Sequence, residues 1–228
     1  EVCGDGVVQP DLRDGIVQEG ARLYSTHYSA PLSELIRDIN KFSNNVMARQ
    51  LFLTLGMGAE TPLLQAGETP EGSDPACVPA HTLPENIRPA ASLARSQQAL
   101  ADWLKRKGLQ FPELVIENGA GLSRIERISP INLSLLLQRA QHSPLSAEFE
   151  ASLPIAGVDG TLKKRLNNGH TPVHAHLKTG SLEGVRSVAG YVQAKSGKQF
   201  ILVFFVNHAN AYGAQEAQDA LIEWVQQQ

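Results

Sequence analysis

The chain has 228 residues and a formal net charge of −3, enough length for one large domain or two small ones with a packed core. That charge leaves no broad basic field for neutralising phosphates, which argues against a general nucleic-acid binder. The longest strongly apolar stretch, Phe200 to Val206, falls far short of the ~20 residues of a membrane-spanning helix and reads as a buried strand.

The first residues, Glu1-Val2-Cys3-Gly4-Asp5, lack the basic and apolar regions of a secretory signal, so export cannot be read from them directly. Cys3 and Cys77 would form one disulfide in an exported protein, or stand as two unrelated thiols. Gly6 to Tyr28 mixes short apolar pairs with Gly and charged residues, which suits extended segments and turns. After Ser29-Ala30-Pro31, the positions Leu32, Leu35, Ile36 and Ile39 fall at helical spacing and predict a short amphipathic helix. A second helix is expected from about Asn45 to Leu55, with Val46, Leu51 and Leu55 among its apolar positions and Gly56 as its stop. The triplet Ser43-Asn44-Asn45 therefore lies at a junction between helices, where side chains can point into a cleft.

Residues 59–89, rich in Pro, Gly, Glu and Thr without a sustained period, read as a long loop insertion. A helix is predicted from about Pro89 to Lys107, with Leu93, Leu100, Trp103 and Leu104 inward and Gly108 ending it. Leu114-Val115-Ile116 is a short strand candidate, and Asn118-Gly119-Ala120-Gly121 a tight turn. Ser129 and Pro130 open a helix over Ile131 to Gln141, as N-cap and first helical residue. The basic run Lys163-Lys164-Arg165 reads as a solvated helix face. Three strands are expected over His174 to Lys178, Gly184 to Ala194 and Gln199 to Asn207, the last two antiparallel across the turn Lys195-Ser196-Gly197-Lys198. A final helix, Ala214 to Gln227, would bury Ala217, Leu221 and Trp224-Val225. Helices followed by an antiparallel sheet make an α+β fold, with no internal repeat and no second complete domain.

Lys178-Thr179-Gly180 places an ammonium, a hydroxyl and a residue without a side chain on one strand, a combination that can grip a carboxylate. With Ser43-Asn44-Asn45 upstream, this K-T-G triplet and S-x-N triplet supply two of the three elements of a serine penicillin-recognising site. S-x-N arises by chance about once in every two chains of this length, but K-T-G in roughly one chain in twenty. The third element, S-x-x-K, carries the nucleophile, and no Ser in the chain is followed three residues later by Lys. In such a site Ser43 would shuttle a proton towards the leaving nitrogen, Asn45 would hold the substrate backbone, and Lys178 and Thr179 would bind its carboxylate. Taken singly, Ser43 is also explained as a helix N-cap, and Lys178 as a solvated lysine at a strand end.

A longer ordered set of segments sharpens this. Asp38-Ile39-Asn40-Lys41-Phe42-Ser43-Asn44-Asn45-Val46-Met47-Ala48, Asn118-Gly119-Ala120-Gly121-Leu122-Ser123-Arg124 and Leu153-Pro154-Ile155-Ala156-Gly157-Val158-Asp159-Gly160-Thr161 are followed by Lys178-Thr179-Gly180-Ser181-Leu182-Glu183-Gly184-Val185 and Ala189-Gly190-Tyr191. Together they resemble the class C low-molecular-mass penicillin-binding proteins, the D-alanyl-D-alanine carboxypeptidase/endopeptidases of peptidase family S13. The resemblance implies an α/β sandwich, a transpeptidase-like antiparallel sheet flanked by helices, of which residues 1–228 form the C-terminal portion. In that family further domains are inserted after the nucleophile helix. It also implies a periplasmic enzyme that acts on peptidoglycan stem peptides through an acyl-enzyme and is acylated by β-lactams. On this likeness Ser43, Asn45 and Lys178 are catalytic, Thr179, Gly180 and Ser181 bind substrate, and the Ser181 backbone N–H is an oxyanion donor. The nucleophile and its Lys would belong to an N-terminal segment upstream of Glu1, without which the fold is incomplete. Asn118 and Ala120 stand where the family usually has an acidic residue and a hydroxyl.

Other chemistries have weaker support. His174 and His176 would share one face of a strand with His170 nearby, but no third metal ligand or H-E-x-x-H pattern accompanies them, so no metal or cofactor is expected. Glu117 and Asp159 are candidates for a general base in deacylation or for turn caps. Arg124 and Arg186 would meet an acidic stem-peptide side chain or lie on the solvated surface. A non-catalytic peptidoglycan-binding module and a serine β-lactamase remain the alternative functions.

Overall fold

In the computed structural model, residues 20–22, 24–57, 91–166 and 174–228 are described. Cys3, Cys77, His170 and the 59–89 insertion lie outside them. The helices are α1 (Leu32–Phe42), α2 (Asn45–Leu55), α3 (Leu93–Arg106), α4 (Pro130–Gln141), α5 (Ser146–Ser152) and α6 (Ala214–Gln227). The strands β1 (Ala175–Leu182), β2 (Val185–Gln193) and β3 (Gln199–Asn207) form an antiparallel sheet in the order β1-β2-β3. This is the expected α+β arrangement. Among the described residues no helix is long and apolar enough to cross a membrane.

Side chains alternate between the two faces of the sheet. Ala175, Leu177, Val188, Val192 and Leu202 pack with Ile222 and Val225 of α6, joined by Leu162 from a 3-10 turn at Gly160–Leu162. On the opposite face Tyr191, Ala189, Ile201 and Val203 pack against Leu133 and Leu137 of α4 and Phe149 of α5. The Tyr191 hydroxyl donates to the Leu137 carbonyl at 2.7 Å, and its ring meets Phe149 edge-on at 6.4 Å. Burial, with the Glu150 charge adding to it, pushes the Tyr191 hydroxyl up to about 12. Lys178 pairs with Ala189 across the β1-β2 register, so alternation puts its side chain on the α4 and α5 face.

Several local expectations shift. Strand β1 continues to Leu182, which puts Lys178-Thr179-Gly180 inside the strand. Helix α3 starts at Leu93, because the Ser92 hydroxyl accepts from the Arg95 N–H and caps it. Leu114-Val115-Ile116 makes only one bridge, Val115 to Arg127. In α2 the buried residue is Phe52, while Val46 and Leu55 face outward. In α1 the predicted stripe is at most half-buried, and the buried side chain is Lys41. Helix α6 buries Val225 as expected, with Leu221 packed against the core, but Gln218, Ile222 and Gln226 are also buried, Ala217 faces outward, and Trp224 is 61% exposed. Arg165 leaves the solvated face expected for its basic run and pairs with Asp219 at 2.6 Å, donating also to Gln218 Oε1 at 2.9 Å.

Candidate active site

Helix α1 ends in a left-handed residue, Ser43, with φ 51 and ψ 48. Asn44 then opens α2, its side chain accepting from the Met47 N–H at 3.0 Å. Asn44, not Ser43, is therefore the helix cap, and the Ser43 hydroxyl is left for another partner. That partner is Lys178, 135 residues away, whose Nζ donates to Ser43 Oγ in a short hydrogen bond. Lys178 also donates to the Thr179 carbonyl at 2.9 Å. An ammonium has three hydrogens, so one remains for a ligand. Partly buried inside β1 and donating to two protein acceptors, Lys178 is not a solvated strand-end lysine; burial also lowers the pKa of its ammonium.

The Asn45 amide nitrogen, in the orientation that satisfies both polar atoms, donates to the Ala120 carbonyl at 3.1 Å and the Ser43 carbonyl at 3.2 Å. Asn45 thereby ties the junction between α1 and α2 to the turn at Asn118-Gly119-Ala120-Gly121. That turn uses positive φ at Gly119 and Gly121. It is gathered by Glu126, whose Oε1 accepts from the backbone N–H groups of Glu117, Asn118 and Gly119 at 3.0 to 3.3 Å. Glu117 joins this network through its backbone.

On β1, Gly180 faces Ser187 so closely that an added Cβ would stand 2.3 Å from Ser187 Oγ. Antiparallel strands exchange hydrogen bonds at alternate residues, and the Leu177 N–H already points away from β2 to the Pro154 carbonyl at 2.9 Å. Ser181 is in phase with Leu177, so its N–H also lies on the outer edge. The Thr179 hydroxyl is 3.2 Å from that of Thr161.

Asp159 is a turn residue. It accepts from the Ile155 N–H at 2.8 Å and from Lys41 Nζ at 2.7 Å. Partial burial raises its carboxyl, but these hydrogen bonds and the Lys41 charge outweigh it and hold it below the ordinary value. Lys41 had no signal in the sequence: a lysine in the last turn of a helix normally meets solvent, yet this one is 7% exposed. Arg124 donates to the Glu183 carbonyl at 2.7 Å, and Arg186 lies 3.8 Å over the ring of Tyr212. His176 Nδ1 lies 3.0 Å from the Glu150 carbonyl. No three His, Cys, Asp or Glu side chains gather into a metal site among the described residues.

Two cavities meet at this cleft. One, of about 330 Å³, is lined by Asn40, Lys178, Thr179, Gly180 and Ser187 with apolar residues of α4 and the sheet. The other, of about 860 Å³, lies between α3, α4 and the ends of β1 and β3, with Leu100, Trp103, Phe111, Ile125, Leu136 and Phe205 in its wall. Leu133, Gly180, Ser187 and Phe205 line both.

An α+β domain that joins an S-x-N serine to a K-T-G lysine across its cleft has the architecture of the penicillin-recognising fold. Residues 6–70 and 80–228 match the D-Ala-D-Ala carboxypeptidase 3 (S13) family, and the chain belongs to that family. It is 27% identical over 192 residues to D-alanyl-D-alanine carboxypeptidase DacB of Haemophilus influenzae, covering 83% of this chain and 34% of the relative. It is 30% identical over 200 residues to the D-alanyl-D-alanine carboxypeptidase of Actinomadura sp., covering 86% of this chain and 31% of that protein. The crystal structure of penicillin binding protein 4 (dacB) from Haemophilus influenzae shares the fold, with a TM-score of 0.66 at 24% identity over 87% of this chain and 41% of that one. The chain thus spans about a third of the length of these curated relatives.

Proposed function

We propose that this polypeptide is the C-terminal portion, residues 1–228, of a periplasmic serine D-alanyl-D-alanine carboxypeptidase/endopeptidase, with 59–89 as an insertion in its transpeptidase-like domain. The observation that carries this reading is the hydrogen bond from Lys178 to Ser43, which closes two triplets of one catalytic signature around a cleft. The substrate is the D-alanyl end of a peptidoglycan stem peptide. Lys178 and the Thr179 hydroxyl attract its terminal carboxylate, Gly180 lets its backbone approach β1, and Asn45 steadies the cleft wall. The Ser181 N–H supplies one oxyanion donor.

The nucleophile is an S-x-x-K serine outside these 228 residues, carried by an N-terminal segment of the same protein; the apolar cavity of about 860 Å³ beside the cleft supports this reading as room for it. As the nucleophile's oxygen attacks the D-Ala-D-Ala carbonyl, its proton passes to the S-x-x-K lysine and is relayed through Ser43, which gives up one proton as it gains another with Lys178 as neighbour, to the amine released when the C–N bond breaks. Water then hydrolyses the acyl-enzyme. A β-lactam enters the same cleft and leaves a slowly hydrolysed ester on the nucleophile. Support comes from family membership and from a relative with this fold whose structure was determined in complex with a novel beta-lactam.

The test is intact-mass measurement of the full-length parent with and without penicillin, followed by peptide mapping. We expect one adduct per chain on an upstream serine and none on Ser43, and Lys178→Ala should slow acylation by ~10²-fold or more. An adduct on Ser43, or an unchanged rate in Lys178→Ala, would refute the assigned roles.

A further inference from the structure

The segment Leu153 to Thr161 belongs to neither triplet but touches the element carrying each. It lies along the outer edge of β1, where the Leu177 N–H donates to the Pro154 carbonyl at 2.9 Å and the Ala156 N–H to the Ala175 carbonyl at 3.0 Å. It also grips the end of α1. Lys41 Nζ donates to the Leu153 carbonyl at 2.6 Å and pairs with Asp159 at 2.7 Å. Gly160, at φ +55, sits so near the Lys41 carbonyl that an added Cβ would be 2.5 Å from its oxygen. Lys41 is two residues before Ser43. One residue past Gly160, Thr161 Oγ1 is 3.2 Å from Thr179 Oγ1.

We propose that the turn Asp159-Gly160-Thr161 is a positioning element for the reaction proposed above. Asp159, acting through Lys41, fixes the left-handed end of α1 and with it the Ser43 hydroxyl, while Thr161 orients the hydroxyl of Thr179. The direction of the second contact matters, because a hydroxyl has one hydrogen and two lone pairs. With Thr161 as donor, the Thr179 hydrogen stays free for a peptide carboxylate; the reverse direction would use it up. The ion pair points the same way. Only its Lys41 end is buried, the Asp159 side chain being 38% exposed, so little net stability is expected from the pair itself. Its position two residues from Ser43 gives it a geometric task that an apolar pair would not perform.

The experiment uses the full-length parent and compares wild type with Thr161→Val, Thr161→Ser and the double variant Lys41→Met with Asp159→Asn. Acylation by labelled penicillin, D-alanine release from a stem-peptide analogue and the urea midpoint are measured for each. Thr161→Val should raise KM for the carboxylate-bearing peptide about 3- to 10-fold, more than it changes the maximal rate, and Thr161→Ser should restore it. The double variant should lower the urea midpoint modestly, because the Leu153 carbonyl loses its Lys41 donor, but acylate about 10- to 100-fold more slowly, a larger loss than that change in stability explains. Wild-type KM in Thr161→Val, or no recovery in Thr161→Ser, overturns the role of Thr161. A folded double variant acylating at the wild-type rate overturns the role of the ion pair, and so does one whose rate falls only in step with its stability. Absence of any acylation in wild type would instead sink the serine-peptidase reading and this inference with it.

Discussion

Glu113 and Glu126 lie outside both triplets, yet each carboxylate organises backbone beside the cleft. Glu126 collects three N–H groups of the 117–119 turn. Glu113 accepts from the Ser129 N–H at 2.9 Å and holds the Asn132 amide at 2.7 and 2.9 Å, gathering the start of α4. Hydrogen bonds from Ser129, with Asn132 adding to them, lower its carboxyl from 4.5 to about 2. Because the folded value is depressed, its contribution to stability is complete above pH 4.5 and lost as pH falls towards 2. The urea midpoint of Glu113→Gln should therefore fall less than that of wild type across that window; parallel curves would show that the carboxylate adds nothing. The meeting of Ser43 with Lys178 was legible because the types and order of the two triplets imply a shared cleft. Lys41 and Glu126 were not, since their partners, Asp159 and a run of backbone N–H groups, are set by tertiary contact and not by spacing.

Helices show the same division. The sequence marks α4 by its cap and first proline, and β3 and α6 by their periods, and these boundaries stand where expected. The inward face of α6 is a different matter. Large apolar residues suggested Leu221 and Trp224; Leu221 does pack against the core, but Arg165, just past the 3-10 turn, donates to Asp219 and to the Gln218 side-chain oxygen, and the Gln218 side lies inward while Trp224 faces out. We expect Ile222→Ala to cost about 2 to 5 kcal/mol and Trp224→Ala to stay within about 0.5 kcal/mol of wild type. Equal losses in chemical denaturation would mean that the helix is seated as the sequence alone suggested. Trp103, also expected inward, lines the larger cavity and is therefore only partly covered.

At the scale of the molecule, that cavity puts a wall of apolar side chains beside the cleft. Each such side chain gains about 1.5 to 3 kcal/mol on burial, against a net stability of about 5 to 15 kcal/mol for a typical domain. The isolated 228-residue chain should bind an apolar fluorescent dye and self-associate, and the full-length parent should do neither. A monomeric chain that leaves the dye dark would show that its core is self-sufficient and needs no N-terminal helix.

The bond between Lys178 and Ser43 spans 135 residues, whereas β1, β2, β3 and α6 follow one another within Ala175–Gln227. Closing a long loop costs more chain entropy than pairing neighbouring strands, so the meander and its helix can form as a local unit before the cleft exists. The cleft is then the last part to assemble and the first to come apart. In native-state hydrogen exchange the amides of β2 and β3 should persist longest, with those at the α1–α2 junction exchanging through smaller openings. The protein would thus lose its serine–lysine contact well before it unfolds.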